Sequence, residues 1–163
     1  MLAAAIAGPR KSGKTTLLSL IADVLEQQGK RVAVVKYATH SIEKGNSDAF
    51  WLMRGGRAVV NVSAEETAVF WQEQLSFDAI VRHMDVDVLL LEGGEPPVAV
   101  PRVICIPEEA EDLQTFMEET GPLTVIATQG DGKSPFAAPH FPEMGPAAAE
   151  KIAALILEKG AAV

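Results

Sequence analysis

The chain has 163 residues, 48% of them hydrophobic and 22% charged, with a formal net charge of −8. The composition is typical of a folded globular protein, and the length predicts a single domain, residues 1–163. The negative charge disfavours sequence-independent binding of nucleic acid. The apolar runs are too short to cross a membrane. The single cysteine, Cys105, excludes an intrachain disulfide and favours a reducing cytoplasm.

In chain order, the hydrophobic pattern alternates strand and helix. Strands are predicted at residues 2–7, 31–36, 58–62, 68–71, 86–91, 101–106 and 123–127, and helices at 13–28, 47–53, 77–84, 108–119 and 145–159. The unbroken apolar run at 31–36 predicts a strand covered on both faces, and the proline at the start of 101–106 favours a strand near a sheet edge. Such alternation predicts an α/β fold, with a mainly parallel sheet flanked by helices on both faces.

The first turn of the chain carries a phosphate-binding motif. Residues 8–15, GPRKSGKT, match G-x-x-x-x-G-K-[ST] between a strand and a helix. Backbone N–H groups at such a helix start bind phosphate oxygens. Lys14 is expected to reach the β- and γ-phosphates, and the Thr15 hydroxyl to ligate Mg²⁺. The motif predicts a nucleotide-binding protein with the three-layer P-loop NTPase fold. The predicted contacts are Gly8, Arg10, Lys11, Ser12, Gly13, Lys14, Thr15 and Thr16.

Other polar residues follow later strands, at the sheet edge where ligands of open α/β sheets bind. Glu92 ends an aliphatic run, and a carboxylate there holds Mg²⁺ through water or polarises the attacking water. A helix cap or a solvated turn is the alternative. Lys36 either binds a second anion or is solvated or ion-paired. His40 either orients water or is an ordinary loop histidine. Arg10 either adds charge to a transition state or points into solvent.

The run Thr128-Gln129-Gly130-Asp131 follows the strand predicted at 123–127 and resembles the guanine-reading [NT]-K-x-D element. A carboxylate at Asp131 can accept hydrogen bonds from guanine N1–H and the exocyclic amine together, whereas adenine offers no such donor pair. A Gly/Asp-rich turn is the alternative. The first interpretation predicts GTP as the ligand.

The motifs together resemble the molybdopterin-guanine dinucleotide biosynthesis protein B (MobB) family. The resemblance covers about residues 1–106. It rests on the phosphate loop, on Val34, Lys36 and His40 in a V-x-K-x-x-x-H pattern, on the segment around Asp48, and on the strand end at residues 89–93.

This resemblance implies a GTP-binding accessory protein with weak GTPase activity that assists nucleotide attachment to molybdopterin. It implies a cytoplasmic homodimer whose partner is a molybdopterin-guanylyltransferase or a molybdoenzyme assembly factor. Lys14, Glu92 and Asp48 are the candidate catalytic residues, Asp48 lying in a loop that senses the γ-phosphate. Thr15 and Glu92 are the candidate Mg²⁺ ligands.

Three alternative functions fit the sequence less well. A small-molecule kinase normally has an Arg-rich lid, whereas residues 130–146 contain no Arg and only Lys133. A GTP-dependent metallochaperone normally has Cys/His clusters, which this chain lacks. A partitioning ATPase normally has a second lysine where this chain has Pro9. Whether the protein acts as an enzyme or only as an adaptor stays open.

Overall fold

The computed structural model describes residues 1–38, 51–93, 99–107, 125–128, 140–141 and 143–163. The chain divides into two compact units, residues 1–37 with 85–163 and residues 38–84. The helix predicted at 108–119 lies outside the described residues, and of the one at 47–53 only Trp51 to Met53 are described, Trp51 and Leu52 being helical. The single domain remains a prediction. No helix among the described residues is long and apolar enough to cross a membrane.

The first unit contains a seven-stranded sheet. Its strands are β1 (Leu2–Ala7), β2 (Val32–Lys36), β5 (Val88–Glu92), β6 (Arg102–Ile106), β7 (Val125–Thr128), β8 (His140–Phe141) and β9 (Ala161–Ala162). The order is β2-β5-β1-β6-β7-β8, and every neighbouring pair in it is parallel. Among the strands that the structure describes, β9 alone is antiparallel to its neighbour, pairing with the start of β1. The predicted mainly parallel sheet is confirmed.

Two helices of this unit pack against one face of the sheet. Helix α1 (Lys14–Gln27) and helix α3 (Pro146–Lys159) contact each other and share a core with β1, β5 and β6. Helix α1 buries residues at i, i+1, i+4 and i+8, namely Leu17, Leu18, Ile21 and Leu25, as an amphipathic helix does. Helix α3 begins with a proline, whose missing N–H costs nothing in a first turn.

Two details of the strand order differ from the sequence-based expectations. Strand β2 lies at the sheet edge, and its Val34 is 43% exposed, so the strand is not covered on both faces. Strand β6 lies inside the sheet between β1 and β7. The proline next to it, Pro101, stands before the strand, where its carbonyl accepts from the Ala5 N–H. A proline there removes no donor from the ladder, so it does not force the strand to an edge.

The second unit contains a two-stranded antiparallel hairpin and a short helix. Strands β3 (Val59–Val62) and β4 (Thr67–Phe70) pair with Val60 opposite Val69. Helix α2 (Phe77–Arg82) begins at Ser76, whose hydroxyl accepts from the Ala79 N–H and so satisfies one free donor of the first turn. The predicted elements exist, but this hairpin is a sheet of its own rather than part of the main sheet.

Candidate nucleotide-binding site

The phosphate loop joins β1 to α1 as the motif predicts. Strand β1 ends at Ala7 and helix α1 begins at Lys14. Gly13 caps the helix in the left-handed conformation, with φ 80°. Lys11 is the only non-glycine residue with positive φ among those described, at 62°. A left-handed conformation in a non-glycine residue is strained and is often found at functional sites.

The backbone at Gly8 leaves no room for a side chain. A Cβ built there would lie 2.3 Å from the Cys105 carbonyl oxygen and 2.8 Å from Ser12 Oγ. The φ of Gly8 is 142°, a region that residues with a Cβ rarely adopt. The loop therefore starts pressed against the neighbouring strand β6, which fixes where its N–H groups lie.

The lysine of the motif is held by its own loop. Lys14 Nζ donates to the Pro9 carbonyl oxygen at 2.5 Å. Such a bond to a neutral carbonyl can be exchanged for a stronger, charge-assisted one to a phosphate oxygen. The side chains of Arg10, Lys11 and Thr16 are exposed.

The loop also contains a buried hydroxyl without a partner. Ser12 is fully buried, and its Oγ makes no hydrogen bond to any described part of the chain. Leaving such a group unpaired costs about 1–3 kcal/mol. Its position beside Gly8 makes it a donor that a phosphate oxygen can satisfy, so the loop fits an anion.

The two predicted metal ligands meet each other. Thr15 Oγ1 donates to Glu92 Oε1 at 2.7 Å, although the residues are 77 positions apart. Mg²⁺ in nucleotide sites is held by one or two protein oxygens together with phosphates and water. The Thr15 hydroxyl and the Glu92 carboxylate could supply these two protein oxygens. No cluster of three or more His, Cys, Asp or Glu side chains that could hold a metal occurs in the part of the chain described.

Lys36 forms an ion pair with the same carboxylate, that of Glu92. Its Nζ is 3.2 Å from Glu92 Oε1 and 3.2 Å from Oε2. Glu92 is only 6% exposed, and a buried carboxylate is stable only when it is paired or hydrogen-bonded. Lys36 and Glu92 are direct neighbours in the β2–β5 register, and Glu92 is the neighbour of Ile6 in β1. The sheet register therefore brings the ion pair to the phosphate loop.

Cys105 is the inert thiol that its aliphatic strand predicts. It is fully buried in β6, and burial raises the pKa of its thiol to about 12. A thiol with such a pKa is almost never ionised near neutral pH, so it is a poor nucleophile and metal ligand. Its carbonyl oxygen lies 2.3 Å from where a Cβ on Gly8 would be, at the start of the phosphate loop.

Some predicted residues lie beyond what the structure describes. His40, Asp48 and Asp131 fall outside the described residues, and so their roles stay predictions. Thr128 is described only by its backbone, which ends β7 opposite Ile106. The structure thus brings together the phosphate loop, Lys36 and Glu92. Lys36 is ion-paired, which was one of its predicted alternatives, but its partner Glu92 was not predicted, because no local pattern in the sequence encodes a strand register across 56 residues.

The family model for molybdopterin guanine dinucleotide synthesis protein B matches residues 3–129. No curated protein matches the chain significantly. Among solved structures, MobB from Bacillus subtilis is 17% identical with a TM-score of 0.74, covering 94% of this chain and 97% of that one. A MobB homologue from Bacillus stearothermophilus is 18% identical with a TM-score of 0.69, covering 97% of both chains.

A third solved structure, titled molybdopterin-guanine biosynthesis protein B, is 25% identical with a TM-score of 0.68, covering 96% of this chain and 97% of that one. The MobB structures have the P-loop NTPase fold, which this chain shares. Because the family model spans well over half of the sequence, the chain belongs to the molybdopterin guanine dinucleotide synthesis protein B family.

Proposed function

We propose that this protein binds GTP with Mg²⁺, hydrolyses it slowly, and assists the synthesis of molybdopterin guanine dinucleotide. The observation that carries the proposal is the contact between Thr15 and Glu92 at 2.7 Å beside the phosphate loop. It joins the end of the loop to the end of strand β5, which is where a nucleotide-bound metal requires its protein oxygens. Family membership supplies the pathway.

The loop residues perform the binding. The backbone N–H groups before and within the first turn of α1 receive the phosphates, where the helix dipole favours negative charge. Lys14 exchanges the Pro9 carbonyl for a phosphate oxygen, and the Ser12 hydroxyl gains its missing acceptor. Thr15 and Glu92 would hold Mg²⁺, which when bound neutralises charge that develops on the phosphates.

Residues outside the described part complete the proposal. Asp131 is proposed to read the guanine edge, and Asp48 to lie in the loop that senses the γ-phosphate. Hydrolysis is expected to be slow and to accompany an adaptor role, as the resemblance to the family implies. A molybdopterin-guanylyltransferase or a molybdoenzyme assembly factor is the proposed partner, and the cytoplasm the proposed location.

The exposed hairpin supports a homodimer. Val60, Val62 and Val69 share one face of β3–β4 and are 56%, 75% and 41% exposed. A two-stranded sheet is marginally stable by itself, and a contiguous exposed apolar face is typical of protein interfaces. We propose that this face packs against the same face of a second copy of the chain.

Nucleotide titration tests the function. We expect GTP with Mg²⁺ to bind at least about tenfold more tightly than ATP, because each 1.4 kcal/mol of guanine-specific contact is a factor of ten. Lys14→Ala should weaken both nucleotides by more than about tenfold, since it removes a charge-assisted bond. Asp131→Asn should weaken GTP alone. Lys151→Ala, on the exposed side of α3, is the control and should bind as wild type.

Isothermal titration calorimetry with all four proteins gives the answer directly. Equal affinity for GTP and ATP would contradict guanine reading by Asp131. Unchanged affinity in Lys14→Ala would contradict the phosphate site itself. Rapid ATP consumption with a small-molecule acceptor would replace the adaptor role with that of a kinase.

A further inference from the structure

The ion pair between Lys36 and Glu92 has two unequal members. The Glu92 side chain is 7% exposed and held by Thr15, whereas the Lys36 side chain is 58% exposed. The carboxylate is therefore fixed in the site, while the ammonium group sits at its solvent side on an edge strand. A lysine in this position can move into water without leaving a buried charge of its own.

The two partners of Glu92, Thr15 and Lys36, also differ in whether they can stay in place when a metal ion binds. The Thr15 hydroxyl is neutral, and it can donate to Glu92 while its oxygen lone pairs face a cation. The Lys36 ammonium contacts both carboxylate oxygens and carries a positive charge. A divalent cation held at the same carboxylate would lie close to that ammonium, and like charges repel.

We propose that Lys36 is a displaceable counterion of Glu92: it neutralises the carboxylate in the metal-free protein, and a divalent cation takes its place. This inference rests on the proposed nucleotide site. It assigns Lys36 a positioning role, acting through Glu92, rather than contact with phosphate. Its consequence is that Lys36 lowers the metal affinity of the site while keeping the empty site neutral.

Replacing Lys36 should raise the metal affinity of the site, whereas replacing a metal ligand would lower it. Lys36→Met removes the competing charge but keeps the long apolar stem, so Mn²⁺ should bind more tightly, by about three- to tenfold as expected for one nearby charge at the protein surface. Lys36→Arg keeps the charge and should bind Mn²⁺ no more tightly than wild type. Lys151→Met, a lysine exposed on α3, should match wild type.

The experiment measures free Mn²⁺ by electron paramagnetic resonance, with each protein saturated with GDP so that no hydrolysis intervenes. A second readout is the melting temperature in EDTA. Lys36→Met should melt below wild type there, because Glu92 loses its counterion, and Mn²⁺ with GDP should raise its melting temperature more than that of wild type.

The results separate the inference from the function on which it rests. Equal or weaker Mn²⁺ binding by Lys36→Met overturns the counterion role. A tenfold loss of GDP affinity in EDTA for the same variant also overturns it, since Lys36 would then contact phosphate directly. If wild type binds neither GDP nor GTP with or without Mn²⁺, the proposed function itself fails. Tighter Mn²⁺ binding by Lys36→Met alone supports the inference.

Discussion

Strands of the main sheet and of the hairpin both carry apolar residues, but these residues have different surroundings. In β1 and β5, residues 3–6 and 88–91 are at most 4% exposed. In the hairpin, Val60, Val62 and Val69 are 41–75% exposed. A short apolar sequence therefore predicts a strand but not its burial, which depends on what covers each face. The main sheet is stabilised within the chain, whereas the hairpin face is available for another molecule.

The largest expected effect on stability comes from a substitution in the closely packed main-sheet unit. Gly8→Ala should lower the free energy of unfolding by about 3 kcal/mol or more and abolish measurable GTP binding. The added Cβ would meet the Cys105 carbonyl oxygen at 2.3 Å, and a backbone strained in this way costs about 1–3 kcal/mol before any clash is counted. Urea denaturation and nucleotide titration measure the two effects.

Gly29→Ala is the matched control. Gly29 also has a positive φ, 76°, but nothing lies within 4 Å of a Cβ built there. Only the conformational strain remains, so a loss of about 1 kcal/mol is expected, with nucleotide affinity unchanged. Equal losses in the two variants would show that the strand contact at Gly8 does not matter.

The next effect compares a core strand with the hairpin directly. Leu90→Ala in β5 should lower the free energy of unfolding by about 2–5 kcal/mol at any protein concentration, because Leu90 is fully buried. Val62→Asp in β3 should change the stability of dilute protein by less than about 0.5 kcal/mol. At high concentration the same variant should lose the dimer. Denaturation and sedimentation velocity over a range of concentrations distinguish the two behaviours.

A dimer that forms equally well with Val62→Asp would contradict the hairpin as its interface. A large loss of stability in that variant at the lowest concentration would contradict the comparison itself, since the valine would then be packed within the chain.

The smallest effect concerns an exposed ion pair at the opposite end of the main sheet. Hydrogen bonds from the Arg31 side chain, followed by its backbone N–H, lower the pKa of Asp87 below that of an ordinary aspartate. The stabilisation that accompanies a lowered acid pKa is present above the unfolded value of about 3.9 and is lost as the pH falls through the folded value. The group is solvent-exposed, so the effect is small.

Asp87→Asn removes the titrating group. Wild type should melt slightly above the variant at about pH 7, and the difference should be lost as the pH falls through the folded pKa of Asp87, below the unfolded value of about 3.9. Thermal melts at several pH values measure it. A difference that persists at the lowest pH would mean that the aspartate acts through something other than its charge.

Local signals predicted most of the elements. Strand β1 was placed at its observed bounds, and α1 within one residue at each end, because apolar periodicity and the glycines at 13 and 29 mark their limits. The two-residue strands β8 and β9 were missed, since so short a run has no periodicity. The order of strands was also missed: β2 and β6 exchange the edge and interior positions expected of them. Order depends on long-range pairing, which residue type alone does not encode.

In the candidate site, too, local features could be predicted and long-range contacts could not. The phosphate loop is contiguous in sequence, so its residues could be named before their positions were known. Glu92 could be named because it ends an aliphatic run. Thr15 and Glu92 could be named together as metal ligands. What could not be predicted is that Lys36 shares the Glu92 carboxylate, since this depends on the register of β2 and β5.

The contact of Gly8 with the Cys105 carbonyl has a practical consequence for spectroscopy. The loop touches a main-chain atom, so the sulfur of this sole cysteine is not part of that contact. The thiol is fully buried and almost never ionised near neutrality. A maleimide fluorophore will therefore react only with a cysteine introduced on the surface, so a labelled variant can be made without first removing Cys105.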